Sequence, residues 1–128
     1  MKRIMIVDDH APVLRVLRLG IEEAGFEVDT ASNGSECLVK LCNGTPDFLV
    51  TDIDMPRMSG KELCLAIEEQ FPGRTFPIVV LTSRTELEHR DWTREIANLE
   101  FMEKPVSVKR LVSVIRRCLS DDAALTGT

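Results

Sequence analysis

Aromatic residues are scarce in this sequence, which has five phenylalanines, one tryptophan and no tyrosine. Proteins that bind single-stranded nucleic acid stack bases on aromatic side chains set among basic residues, and this chain has no such arrangement. Sixteen basic residues against twenty-one acidic ones give a net charge of -5, which repels polyanions. We therefore predict no direct binding to nucleic acid. One locally basic cluster is more typical of a solvated helix face, and it consists of Lys109, Arg110, Arg116 and Arg117.

Long apolar runs are also absent. The run after Lys2 and Arg3 covers only residues 4–7 before Asp8 ends it, which is too short for a signal peptide. A membrane-spanning helix needs roughly 20 apolar residues, and no run approaches that length. We predict a cytoplasmic protein that does not bind membranes.

The four cysteines lack the C-x-x-C spacing of zinc and redox sites. Without a secretory signal they should stay reduced, and we predict that they are small core residues: Cys37, Cys42, Cys64 and Cys118. No G-x-G-x-x-G motif follows an apolar run, and Gly60-Lys61 lacks the upstream glycine of a P-loop. These absences argue against nucleotide binding.

Short apolar segments alternate with helical ones along the 128 residues. The short segments predict strands at residues 3–7, 26–30, 47–51, 77–81 and 99–102. The longer ones predict a helix between Pro12 and Gly25 and further helices at residues 33–42, 59–70, 85–97 and 107–119. This alternation predicts one α/β domain at residues 1–119 with a parallel sheet covered on both faces, followed by a loose polar tail at 120–128.

Two helix starts carry a recognisable capping signal. Asn33 precedes Glu36 by three residues, and Ser59 precedes Glu62 by the same distance, which is the spacing of a capping box. In the fourth helix, we favour a core position over a docking surface for Trp92.

Charged and hydroxyl side chains follow four of the five predicted strands. They are Asp8 and Asp9 after the first, Asp52 after the third, Thr82 and Ser83 after the fourth, and Lys104 after the fifth. Ligands of open α/β sheets bind beyond the carboxyl ends of the strands, so these groups mark the candidate site. Each has a simpler interpretation taken alone; Asp9, for example, could cap the first helix.

Together, these residues resemble the receiver domain of two-component response regulators. The resemblance covers nearly the whole chain and rests on motifs in the family's order: Asp8-Asp9, the segment from Asp52 to Pro56 with Gly60 after it, Thr82-Ser83 and Lys104-Pro105. It implies a flavodoxin-like, doubly wound five-stranded parallel sheet in the order 2-1-3-4-5 with five helices. It also implies phosphorelay signalling in place of enzymatic turnover.

A divalent cation fits this acidic site, because crowded carboxylates raise each other's pKa when none is present. Oxygen ligands without histidine favour Mg²⁺, with Mn²⁺ as the other candidate. The resemblance makes Asp9 and Asp52 the main ligands, Asp8 a ligand through water and Asp54 a ligand through its backbone carbonyl.

The resemblance further makes Asp52 the phosphoacceptor, with Lys104 and Thr82 binding the phosphoryl oxygens. Thr82 would then move toward the phosphoryl group and let Phe101 change its rotamer, which would remodel a surface of helix 4, strand 5 and helix 5. Phe101 has no hydroxyl, unlike the tyrosine common at this position in the family. We also predict that Asp54 and Arg84 form an ion pair across the mouth of the site.

The implied partners are a histidine kinase or phosphotransfer protein and a downstream protein target or an output domain missing from this chain. One alternative is a haloacid-dehalogenase-like phosphatase, because Asp52-x-Asp54 after an apolar strand also resembles that family's aspartyl-phosphate motif. There the D-x-D motif comes early and the acidic pair late, which is the reverse of the order here.

Overall fold

A computed structural model describes residues 1–83, 90–94 and 96–127 of the chain. Five strands form a single parallel sheet in the order β2-β1-β3-β4-β5, as predicted. The strands are β1 (Arg3–Val7), β2 (Glu27–Ala31), β3 (Phe48–Asp52), β4 (Ile78–Thr82) and β5 (Leu99–Glu103). The helices are α1 (Ala11–Glu23), α2 (Gly34–Cys42), α3 (Gly60–Gln70), α4 (Arg90–Thr93) and α5 (Val108–Gly127).

The sheet carries a hydrophobic core on each face, because neighbouring residues of a strand project to opposite sides. One core joins Met5, Val7, Leu49 and Val80 of the strands to α2 and α3. The other joins Ile4, Ile6, Val50 and Val79 to α1 and α5. All residues of β3 and β4 are buried, as expected at the centre of a sheet predicted to be covered on both faces.

The ends of two helices differ from the predictions. The fourth helix ends at Thr93, short of Ala97, and Ile96 N–H closes the turn by donating to Thr93 O at 3.0 Å. Asn98 then takes a positive φ of 53°, which asparagine tolerates better than most residues. The predicted start of this helix lies outside the described residues.

The predicted loose tail is also wrong in part, because α5 continues to Gly127. Residues 120–126 contain neither proline nor glycine, the two residues that most disfavour a helix. The polar composition of this segment therefore does not end the helix before Gly127.

The capping box predicted for α3 is present. The Ser59 side chain accepts from Glu62 N, and the Glu62 carboxylate accepts from Ser59 N. At α2 only half of it forms: Asn33 Oδ1 accepts from Glu36 N at 2.8 Å, whereas the Glu36 carboxylate bonds to Ser32.

Candidate functional site

The side chains predicted for the site meet at the carboxyl edge of the sheet. The strand order makes β1, β3, β4 and β5 contiguous. Asp52 and Thr82 are the last residues of β3 and β4, Asp8 follows β1, and Lys104 follows β5. Parallel strands end at the same edge, so four separate segments contribute to one site.

Three carboxylates converge there. Asp8, Asp9 and Asp52 each offer an oxygen within 4.8 Å of the other two. Asp8 is 2% and Asp52 5% exposed, whereas Asp9 faces solvent. The site therefore consists of two buried carboxylates with a third at its rim.

The turn from β1 into α1 positions Asp8. Its backbone N–H donates to Ala31 O at 3.1 Å, and its Oδ1 accepts from His10 N at 2.8 Å. The N-cap residue of α1 is His10, without a side-chain capping bond, so Asp9 does not cap this helix. Burial raises the pKa of Asp8, as do Asp52 and Asp9, while the His10 N–H bond and Lys104 lower it. The net direction is upward.

Lys104 forms an ion pair with Oδ1 of Asp52. Within the described part of the chain this buried oxygen has no partner other than the Lys104 ammonium, whose charge offsets its burial. The position of Lys104 is fixed by its own backbone N–H, which donates to Thr82 O at 2.8 Å. This main-chain hydrogen bond connects Lys104 to Thr82 at the end of β4.

The loop after Asp52 folds back against the end of β3. Arg57 has a positive φ of 69°, and Met58 N–H donates to Pro56 O at 2.7 Å, which makes a tight turn. Gly60 N–H then donates to Ile53 O at 2.8 Å, so α3 begins directly against the site. Asp54 lies in this loop and is exposed.

An open cleft of about 640 Å³ extends from the carboxylates along α1. Asp8, Asp52 and Lys104 lie at one end of it. Its other walls are largely apolar and come from α1 and the residue before it, from β4, from the segment after β5 and from the first residue of α5: His10, Pro12, Val13, Val16, Leu17, Leu81, Pro105, Val106 and Val108. The site is therefore open on the α1 side, next to a largely apolar surface.

The predicted switch residues lie nearby. Thr82 is buried at 1% exposure, and Phe101 is half-buried in β5. Arg84, predicted to pair with Asp54, lies outside the described residues. One residue beside the site could not be predicted from the sequence. The hydroxyl of buried Thr51 donates to the carbonyl of Asp52 at 3.0 Å. A threonine in an apolar strand is an ordinary β-former and gives no signal of that contact.

The parallel α/β fold and its acidic strand-end site are those of a receiver domain, and comparison with known proteins agrees. The family model described as "Response regulator receiver domain" matches residues 4–116. The chain therefore belongs to this family of two-component signalling proteins. The dehalogenase-like alternative gains no support from these matches.

Individual relatives agree with this assignment. The chain is 32% identical over 120 residues to the alkaline phosphatase synthesis transcriptional regulatory protein PhoP of Bacillus subtilis, covering 91% of this chain and 49% of that protein. It is 33% identical over 126 residues to the response regulator MprA of Mycobacterium leprae, covering 95% and 54%. The chain thus spans about half the length of these relatives.

Solved structures of similar length share the fold. The CheY-like receiver domain protein of Methanospirillum hungatei has a TM-score of 0.85 at 29% identity, covering 97% of this chain and 98% of that one. The chemotaxis protein CheY4 of Vibrio cholerae has a TM-score of 0.83 at 28% identity, covering 91% and 98%. As to membranes, no helix in the described part of the chain has both the length and the apolar composition to span one.

Proposed function

We propose that the chain accepts a phosphoryl group on Asp52 from a histidine kinase or a phosphotransfer protein. The observation that carries this proposal is the buried carboxylate of Asp52, whose Oδ1 has Lys104 as its one partner among the described residues. A carboxylate in that state is costly for folding alone, and its position at the end of an open cleft suits a nucleophile.

The donor set fits a divalent cation. Its three oxygens lie within 4.8 Å of one another and belong to carboxylates only, which suits Mg²⁺ and also Mn²⁺. Asp9 and Asp52 would hold the ion directly, Asp8 through water and Asp54 through its backbone carbonyl. When bound, the ion would neutralise the carboxylates and the charge of the incoming phosphoryl group.

The residues of the chain supply the remaining chemistry. An oxygen of Asp52 attacks phosphorus in line, the bond from phosphorus to the donor histidine nitrogen breaks, and the imidazole leaves with that electron pair. Lys104 binds one phosphoryl oxygen by its charge, and the Thr82 hydroxyl donates to another. The acyl phosphate keeps the site occupied until water hydrolyses it.

The apolar cleft supports docking of the donor. Val13 and Val16 of α1 are 38% and 58% exposed, and both line the cleft that leads to Asp52. Exposed valines beside a polar reaction centre suit a helical partner that presents one histidine among apolar side chains.

We further propose that phosphorylation acts through Thr82 and Phe101 on the surface of α4, β5 and α5. The recipient would be a downstream protein or an output domain, since relatives are about twice as long as this chain. The boundary predicted after residue 119 stays a proposal.

Intact-mass measurement after treatment with acetyl phosphate tests the acceptor. We expect one added phosphoryl group, only with Mg²⁺ or Mn²⁺ present, and none in Asp52→Ala. Glu27→Gln, which changes an exposed carboxylate at the opposite edge of the sheet, is the matched control and should label normally. Equal labelling of Asp52→Ala, or full labelling in excess chelator, would falsify the assignment.

A further inference from the structure

Trp92, the one tryptophan of the chain, lies edge-on against Phe101. The ring centroids are 5.9 Å apart and the ring planes meet at 88°. Both side chains are partly buried and pack against the core on the α2 and α3 face of the sheet. The contact therefore connects α4 directly to β5.

The sheet register relates Phe101 to the site. Phe101 pairs with Val80, and Glu103 pairs with Thr82. Paired residues of parallel strands, and residues two apart in one strand, project to the same face. Thr82 and Phe101 are thus diagonal neighbours on one face, so a displacement of the Thr82 side chain acts next to the Phe101 ring.

Phe101 offers no hydroxyl at the tip of its ring, so a terminal hydrogen bond cannot fix its orientation. Its edge-on contact with Trp92 provides another restraint. Such aromatic contacts change an equilibrium constant by a factor of roughly 2 to 10 beyond their buried area. That factor is large enough to bias a ring between two orientations.

Trp92 also forms part of the protein surface. Together with Leu65 and Glu68 of α3, it lines a groove between α3 and α4. A displacement of the indole would alter this groove as well as the contact with β5.

We propose that Trp92 is a positioning residue of the switch: its contact with Phe101 makes the ring orientation of Phe101 and the position of α4 depend on each other. A change at Thr82 then passes from β5 to α4 through two aromatic rings. The inference rests on the proposed phosphorylation of Asp52, and it assigns the transmitting contact to a residue outside the reaction site.

The chain is well suited to a direct test, because it contains one tryptophan and no tyrosine. Its indole emission therefore reports on Trp92 alone. We expect the emission maximum and acrylamide quenching to change when the full chain is phosphorylated with acetyl phosphate and Mg²⁺. In Phe101→Leu, compared at equal phosphorylation by intact mass, the change should fall roughly twofold or more. Phe26→Leu alters a ring packed on the α1 and α5 face of the sheet, and the change in indole emission on phosphorylation should be retained in that variant.

Variants of Trp92 itself provide the second arm, read by amide exchange. Trp92→Leu should reduce the phosphorylation-dependent change in peptides covering residues 90–103, and Trp92→Phe, which can keep an edge-on contact, should restore it. If Phe101→Leu does not fold, the comparison of Trp92→Leu with Trp92→Phe tests the proposed contact without it. An unchanged indole signal in the phosphorylated parent chain, or equal changes in Trp92→Leu and Trp92→Phe, overturns the relay but leaves the acceptor function intact. Failure of Asp52 to gain a phosphoryl group overturns both.

Discussion

Gly60 lies so close to the main chain of Asp52 that a Cβ there would be 2.3 Å from the Asp52 carbonyl oxygen. It would also be 2.7 Å from the Cα of Ile53. Both atoms belong to backbone, which cannot move aside as a flexible side chain can. The glycine therefore lets the start of α3 pack against the strand end that carries the proposed phosphoacceptor.

We expect Gly60→Ala to destabilise the fold by about 1 to 3 kcal/mol, because the added methyl group must displace backbone. It should also slow labelling of Asp52, since the displaced segment includes that residue. Gly73→Ala is the matched control: a Cβ at Gly73 meets no atom within 4 Å. Urea unfolding and intact-mass kinetics measure both effects. A Gly60→Ala chain as stable as Gly73→Ala would show that the contact is not restrictive.

Divalent cations should stabilise the folded chain. Binding to the native state alone adds about 2.7 kcal/mol at a cation concentration of 100 times Kd. We expect Mg²⁺ to raise the urea midpoint of the parent and of Glu27→Gln, and to have little effect on Asp9→Asn and Asp52→Asn. Mn²⁺ binding followed by electron paramagnetic resonance checks the same variants without any phosphodonor. Unaltered cation affinity in both aspartate variants would place the ion elsewhere.

Much of this architecture could be predicted because its signals are local. The apolar runs at 48–50 in β3 and 78–81 in β4 require burial on both faces, and the polar residues that end these strands then reach one edge of the sheet. That Asp8 lies beside Asp52 depends on the strand order, which only the resemblance to receiver domains supplied.

Other features depend on contacts between distant segments and have no local signal. The buried guanidinium of Arg74 binds Glu68 at 2.7 Å and donates to the carbonyls of Phe76 and Ala97. Nothing in the sequence around Arg74 distinguishes it from a surface arginine. The edge-on contact of Trp92 with Phe101 was equally inaccessible, since it depends on how α4 lies over β5.

Asp54 gives a prediction about the lifetime of the phosphorylated state. It is exposed in the loop after Asp52, and Arg84 follows Thr82 by two residues in the sequence but lies outside the described residues. If their charges pair across the mouth of the site, Asp54→Ala and Arg84→Ala should each speed hydrolysis by up to about fivefold, because an exposed pair is worth roughly 0 to 1 kcal/mol. The double variant should match the single ones, and high salt should reduce the effect. Additive effects of the two substitutions on the hydrolysis rate, or slower hydrolysis in both single variants, would contradict the proposed ion pair.

The four cysteines differ in exposure, contrary to the prediction that all are core residues. Cys37 and Cys64 are buried, Cys118 is half-buried and Cys42 is exposed. Burial raises the pKa of both Cys37 and Cys64 from the ordinary value of 9.0 to about 12. Because the thiolate is the reactive form, iodoacetamide at pH 8 should modify Cys42 first and Cys118 more slowly. Cys42→Ser should lose the fast phase in a mass-resolved time course.

The same shifts predict how stability depends on alkaline pH. The folded state favours the neutral thiols of Cys37 and Cys64. Their contribution to the free energy of unfolding is therefore fully present below pH 9 and is lost as the pH rises toward about 12. Unfolding exposes these thiols and lets them ionise, which draws the equilibrium toward the unfolded chain. Urea unfolding between pH 8 and pH 11 should show a shallower decline in Cys37→Ala than in the parent, whereas Cys42→Ser should follow the parent. Equal slopes in Cys37→Ala and the parent, or alkylation of Cys37 as fast as that of Cys42, would contradict the protected thiol.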